Sequence, residues 1–215
     1  MKLANLFQRS PVFVMVSAML LSGCVSTLVQ TPITDPGKRL EFEKFSLLPP
    51  QGDNWFIVQS KSAQDNVLVV LVKQLDPATP TGVRSFQPHS VRAQIRSSGT
   101  GSESVGSPRE FLEMIKQSEK ANTSARFTVV KESYAPYEKL GDYCVILDKL
   151  TEDRGVPGDR GTVYLFHYNP LFCWDQDSRI MVVVGCSQRA PNMQDMIDLK
   201  SECEPFRDSL RFTRQ

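Results

Sequence analysis

An α+β fold, mostly antiparallel sheet flanked by a mid-chain helix and a C-terminal helix, follows from three features of the sequence. Short β-rich apolar segments recur between residues 42 and 188, separated by turns that carry Gly, Pro and Asp. One strongly signalled helix interrupts them near the middle. An apolar residue every three or four positions marks a second helix at the end.

The elements are expected in this order. Phe42 to Leu48 forms a first strand, ended by Pro49 and Pro50, and Trp55 to Ser60 and Val67 to Leu75 follow. The run from Val67 to Val72 is apolar at every position, which places it inside a sheet with both faces covered. Val91, Ala93 and Ile95 alternate with Arg92, Gln94 and Arg96, giving a strand with one dry and one wet face. Residues 97–107 are small and polar and lead into the helix. There Ser107 is the N-cap, Pro108 takes the first helical position, and Glu110 completes a capping box. Phe111, Leu112 and Ile115 supply its apolar face up to about Ala121. Further strands are expected at 127–133, 139–149 and 161–168, with Gly155, Pro157 and Gly158 turning the chain between the last two, and at 179–188. Met196, Leu199, Cys203, Phe206 and Leu210 give the closing helical pattern, in which Pro205 is expected to start a separate last helix.

The 215 residues are 40% apolar and 23% charged, ordinary for a globular chain and against wholesale disorder. Lys2 and Arg9 are the only charged side chains before Cys24, so removing that segment takes the formal charge from +1 to −1. A nucleic-acid partner is not expected, because no basic surplus is gathered anywhere.

The first segment reads as an address. After Lys2, Arg9 and Pro11, the run Val12 to Leu21 is apolar apart from Ser17, and Ser22 and Gly23 lead into Cys24. That run is about half the ~20 residues a membrane-spanning helix needs. Leu21-Ser22-Gly23-Cys24 resembles the bacterial lipobox. The resemblance implies lipidation of Cys24, cleavage between Gly23 and Cys24, and a chain held on the cell envelope by acyl groups such as palmitate. Several acyl chains on one residue retain a protein far better than one. Val25 stands where an Asp would resemble an inner-membrane retention signal, which implies the outer membrane, facing the periplasm. Three regions are thus expected: a lipoprotein signal peptide at 1–23, the lipidated Cys and a flexible Ser/Thr/Pro tether at 24–39, and one α+β domain at 40–215.

The order of elements is similar to the fold shared by the PsbP, Mog1 and DcrB proteins. The supporting stretches are Leu48 to Trp55, the helix at 108–121 and the closing Phe206…Ser209-Leu210-Arg211-Phe212. The resemblance implies an α/β/α sandwich, no shared catalytic site, and a role in assisting or binding other proteins.

Four cysteines remain beyond Cys24: Cys144, Cys173, Cys186 and Cys203. An oxidising compartment favours disulfides, with three possible pairings. If Leu150 faces Gly161, then Cys144 lies opposite His167. If Asp175 to Ser178 turns the next hairpin, His167 lies opposite Cys186. The two outer cysteines would then stand two strands apart, beyond disulfide reach. The expected pair is therefore Cys173 with Cys203, the former in a loop and the latter inward on the last helix, with buried free thiols the competing state. The same register makes a Cys144–His167–Cys186 row that could ligate a metal or serve as a thiol–imidazole pair.

Other signals for chemistry are thin. The histidines are His89 and His167, and no Gly-x-Ser-x-Gly elbow occurs. Gly99-Thr100-Gly101 sits between strand and helix, but Ser104 breaks the phosphate-loop pattern. Glu152-Asp153-Arg154…Asp159-Arg160 reads as a solvated turn. Tyr164, Phe166, Tyr168, Phe172 and Trp174 are either one covered sheet face or a patch for a partner. The resulting expectation is a lipid-anchored, non-enzymatic periplasmic protein without a cofactor, which binds or supports an envelope protein. The alternatives are a small-ligand module with a deep apolar pocket between sheet and helix, and a thiol or metal enzyme at Cys144, His167 and Cys186.

Overall fold

The computed structural model describes residues 30–63, 66–75, 90–99, 105–121, 124–156 and 161–213. The leader with Gly23 and Cys24, most of the tether, His89, Thr100-Gly101, Ser104, Pro157-Gly158 and Asp159-Arg160 lie outside them.

The described residues are mostly antiparallel strand, with two α-helices. In order, the elements are β1 (Thr31–Pro32), β2 (Leu40–Glu41), β3 (Phe45–Leu47), β4 (Trp55–Ala63), β5 (Asn66–Lys73), β6 (Ser90–Gly99) and α1 (Pro108–Ala121). There follow β7 (Phe127–Pro136), β8 (Cys144–Asp153), β9 (Tyr164–Asp175), β10 (Ile180–Ala190), α2 (Lys200–Asp208) and β11 (Arg211–Phe212). Among the described residues one sheet has eight strands in the order β1-β4-β5-β6-β10-β9-β8-β7, and a second has three in the order β11-β3-β2.

Residues 31–33, expected in the flexible tether, instead edge the large sheet. β1 pairs with β4, Ile33 donates its N–H to the Trp55 carbonyl at 2.9 Å, and its side chain packs on the core. A two-residue strand carries no periodicity to read, so only tertiary pairing reveals it.

Strand alternation divides the core between the two faces of the large sheet. On one face lie Val67, Val69 and Leu71 of β5, Val91, Ala93 and Ile95 of β6, and Ile180, Val182 and Val184 of β10, closed over by Phe206 and Leu210 and by Phe45 and Leu47 of the small sheet. On the other face α1 lays Phe111 and Ile115 on Val145, Leu147, Phe172 and Trp174. The helix starts as its capping residues dictate: the Glu110 N–H donates to Ser107 Oγ at 3.2 Å, and the Glu110 carboxylate accepts from the Gly106 N–H at 3.0 Å.

Polar contacts fasten α2 to the sheet. Glu202 accepts from Trp55 Nε1 at 2.8 Å and pairs with Lys73 at 2.8 Å. Arg39 donates to the Ser46 carbonyl at 2.8 Å and the Ser209 carbonyl at 2.5 Å, joining the first and last parts of the domain. Pro205 lies inside α2 rather than opening a further helix.

Candidate functional site

The expected row of Cys144, His167 and Cys186 is not formed. β8 and β9 pair Asp153 with Tyr164, which sets His167 opposite Leu150 and Cys144 opposite Cys173. On the other side of β9, His167 faces Gln188, and Cys186 faces Asn169. The hairpin closes later than expected because Thr151, Glu152 and Asp153 continue β8. Their turn-like composition conceals a strand whose last residue, fully buried Asp153, is neutralised by Arg126 at 2.5 Å and Arg189 at 2.9 Å.

The expected Cys173–Cys203 disulfide is also replaced. Cys173 pairs with Cys144, directly across the strands with 4.2 Å between Cα atoms, and Cys203 with Cys186, at 6.2 Å. The Trp174 N–H donates to the Tyr143 carbonyl, so Cys144 and Cys173 form a non-hydrogen-bonded pair, the closer kind in an antiparallel ladder. With Cys144, Cys173, Cys186 and Cys203 all in disulfides, no free thiol or thiolate ligand remains among the described residues. Among the described residues no three His, Cys, Asp or Glu side chains converge as a metal site.

Cys173 escaped recognition as a strand residue because β9 runs through Pro170 and on to Asp175. Proline is rare inside a sheet because it offers no N–H to the ladder. Pro170 should exchange hydrogen bonds with Leu147, and the Asn169 side chain supplies the missing donor, its Nδ2 reaching the Leu147 carbonyl at 2.7 Å. On the other flank the ring sits against Gly185, where a Cβ would come within 2.5 Å of Pro170 Cα. Asn169-Pro170 and Gly185 thus work as a set: a donor substitute on one side, an absent side chain on the other.

This repair also builds a site. Asn169 faces α2, and its carbonyl and side-chain oxygens accept from Arg207, which is 5% exposed. Around them lies a crevice of about 300 Å³ between the end of the sheet and α2, lined by Asp148, His167, Gln188, Lys200, Glu204 and Arg207, with the Cys186–Cys203 disulfide in its wall. Gln188 holds the far lip by two bonds, donating to the Ile197 carbonyl and accepting from the Ile197 N–H, each at 3.1 Å.

His167 Nε2 lies 2.5 Å from Asp148 Oδ1, and Lys131 lies 3.1 Å from Asp148 Oδ2. Burial pushes the Asp148 carboxyl up, but the hydrogen bonds and charges of His167 and Lys131 outweigh it and leave the group below the ordinary carboxylate range. An ionised carboxylate only accepts, so Nε2 carries the proton in this contact. Burial lowers the Arg207 guanidinium from its ordinary value, against the pull of Tyr137, Glu204, Asp208 and Asp148, and its Nε is buried without a partner.

The sequence singled out His167, but as the middle of a cysteine row that the register does not form; the structure instead sets it at a crevice between sheet and helix, beside Asp148. Asp148, Asn169, Gln188 and Arg207 carried no motif. The one signal available was a Pro next to an Asn in a β-rich run, since a strand that keeps going past Pro must replace a donor. No family model and no curated protein matches the chain.

Proposed function

We propose that this chain is a lipid-anchored periplasmic protein of the bacterial cell envelope that binds another envelope protein rather than catalysing a reaction. The observation that carries the reading is the pair of disulfides, which persist in oxidising compartments and are rare in the cytosol. They support, independently of the leader, the extracytoplasmic location that the lipobox-like Leu21-Ser22-Gly23-Cys24 implies. The Asp148–His167 contact lacks an adjacent thiol, which favours binding over covalent catalysis. An antiparallel sheet with a helix on each face supports the similarity to the PsbP, Mog1 and DcrB sandwich.

The direct test is Cys24→Ser in the full chain. Fatty-acid labelling and membrane retention are expected to vanish while both disulfides persist, read by thiol alkylation with and without reductant. Unchanged labelling and retention would remove the anchor. Free thiols in the native protein would remove the compartment argument. Crosslinking of the mature protein in the envelope is expected to trap a reproducible protein partner.

A second reading, a small-ligand module, is favoured by the His167 crevice, whose volume lies at the lower end of ligand sites. Its lining carries Asp148, His167, Lys200, Glu204 and Arg207, unlike the deep apolar pocket expected, so the ligand it suits has polar or charged groups.

A further inference from the structure

Away from the His167 crevice, on the face of the sheet that carries α1, lies a second concavity of about 320 Å³ that the helix does not cover. Its shape follows from the strand register. Three cross-strand rows meet there: Phe166–Arg189–Ser90, Tyr168–Ser187–Arg92 and Pro170–Gly185–Gln94. The central strand β10 contributes only a hydroxymethyl group at Ser187 and a hydrogen at Gly185 to two of these rows. The flanking strands contribute rings and long polar side chains. Small residues in the middle and large ones at the sides make a basin, with Phe166 and Tyr168 along one wall and Arg92 and Gln94 along the other.

Arginine side chains also gather at the basin. Arg189 is 8% exposed, and it shares one carboxylate, Asp153, with Arg126. Two guanidinium groups therefore meet one carboxylate, and Arg189 Nε has no hydrogen-bond partner. Arg189 lies over the Phe166 ring, 5.5 Å from its centroid, which holds the guanidinium at the basin wall. Burial and the nearby Arg189 charge together lower the Arg92 guanidinium from its ordinary value, the response expected where positive charge is gathered and partly shut away from water. Burial, with the Glu119 charge, raises the Tyr168 phenol, so its hydroxyl stays protonated and able to donate.

We propose that this basin binds a small organic oxyanion, whose carboxylate or phosphate group meets Arg92 and Arg189 and whose apolar body lies along Phe166 and Tyr168. Guanidinium forks match both oxyanions, and an aromatic wall gives the attached body a surface to bury. The inference deepens the reading of the chain as a binding protein by naming a ligand class. It does not depend on the anchor: loss of Cys24 labelling and loss of anion binding are separate readouts.

The test is calorimetric titration of the purified full chain, in detergent at low ionic strength, with phenyl phosphate, benzoate and inorganic phosphate. Saturable binding of phenyl phosphate or benzoate is expected, with inorganic phosphate weaker. Arg92→Gln and Ser187→Leu, which remove a fork and fill the floor, should each weaken binding about tenfold or more. Both leave the Arg126–Asp153–Arg189 contacts in place, and a cooperative thermal transition in each variant separates lost binding from lost folding. A parallel titration with the water-soluble headgroup glycerophosphoglycerol separates sources without engaging the acyl anchor. Its binding in competition with phenyl phosphate assigns the oxyanion to a lipid headgroup, and phenyl phosphate binding without it assigns the oxyanion to a soluble molecule. Absence of saturable binding of either aromatic anion, or equal affinity in wild type and both variants, overturns the proposal. Equal affinity for inorganic phosphate removes the role of the rings.

Discussion

On one face of the large sheet, Phe206, Leu210 and Cys203 close over Leu71, Ile95, Val182 and Val184, and a disulfide, Glu202 and Arg39 fasten the cover. On the other, α1 covers Val145, Leu147, Phe172 and Trp174 and stops, leaving Arg92, Gln94, Phe166, Tyr168 and Arg189 around an open basin. The same strands make both faces. The difference lies in the helices: a disulfide and several polar contacts tie α2 down, while α1 rests on an apolar patch at one end with the Glu119–Lys149 ion pair beside it. The sealed face carries stability, and the half-covered face keeps charge and rings within reach of solvent.

The largest expected effect lies on the sealed face. Phe206→Ala empties a fully buried site and should cost about 3–5 kcal/mol in denaturant unfolding, whereas Phe166→Ala, at the half-covered basin, should cost about 1.5 kcal/mol or less. Equal losses would abolish the contrast between the faces.

Next comes Asp153→Asn, expected to cost about 3 kcal/mol at neutral pH because it leaves Arg126 and Arg189 near a site with no countercharge. Burial pushes the Asp153 carboxyl up, but the Arg126 hydrogen bonds, the Gly155 N–H and the two arginine charges hold it below its ordinary value. A depressed folded value means this stability is fully present above the unfolded carboxyl value near pH ~4 and is lost as pH falls through the lower folded one. The gap between wild type and variant should therefore be constant from neutral pH to about 5 and narrow below about 4. A gap that widens in acid would show the sign to be wrong.

Third is the Cys186→Ala/Cys203→Ala double variant. A loop of 17 residues predicts about 3 kcal/mol from chain entropy, an upper figure for a model that tends to overshoot. Hydrogen exchange should then rise first in α2 and at the lip held by Gln188, not in α1. Uniform loosening would mean that the disulfide does not act through the cover.

The smallest effect is expected at the sheet edge. Val130 is 55% exposed on β7, at the bulge between Val129 and Lys131, and Val130→Thr should change stability by about 0.5 kcal/mol or less. Increased self-association of wild type relative to this variant would show that the edge is sticky despite its bulge and charge.

Helix α1 was legible to the residue, because Ser107, Pro108, Glu110 and the Phe111/Ile115 stripe are local signals that agree. The longer strands were legible in order through β-rich runs, but not in register, and the two-residue strands β1, β2 and β11 were not legible. Register here is set by pieces that oppose their own composition: Asp153, which looks like a turn and is a buried strand end, and Pro170, which looks like a stop and is passed. Each is rescued by a residue distant in sequence, Arg189 for one and Gly185 for the other, and no local pattern announces such a partner. The candidate site suffered accordingly. His167 was found because histidine is rare in this chain, while Asp148 and Arg207 came to it only through the true register and the docking of α2.

The two cystines join neighbours along the chain, first with second and third with fourth, and their loops do not interlock. For a polypeptide threaded out amino end first, as proposed here, each cysteine would meet its correct mate as the next one to emerge, with Cys24 already removed from competition by its acyl groups. Maturation would then proceed by a simple oxidase working in order of arrival, with no reshuffling catalyst required.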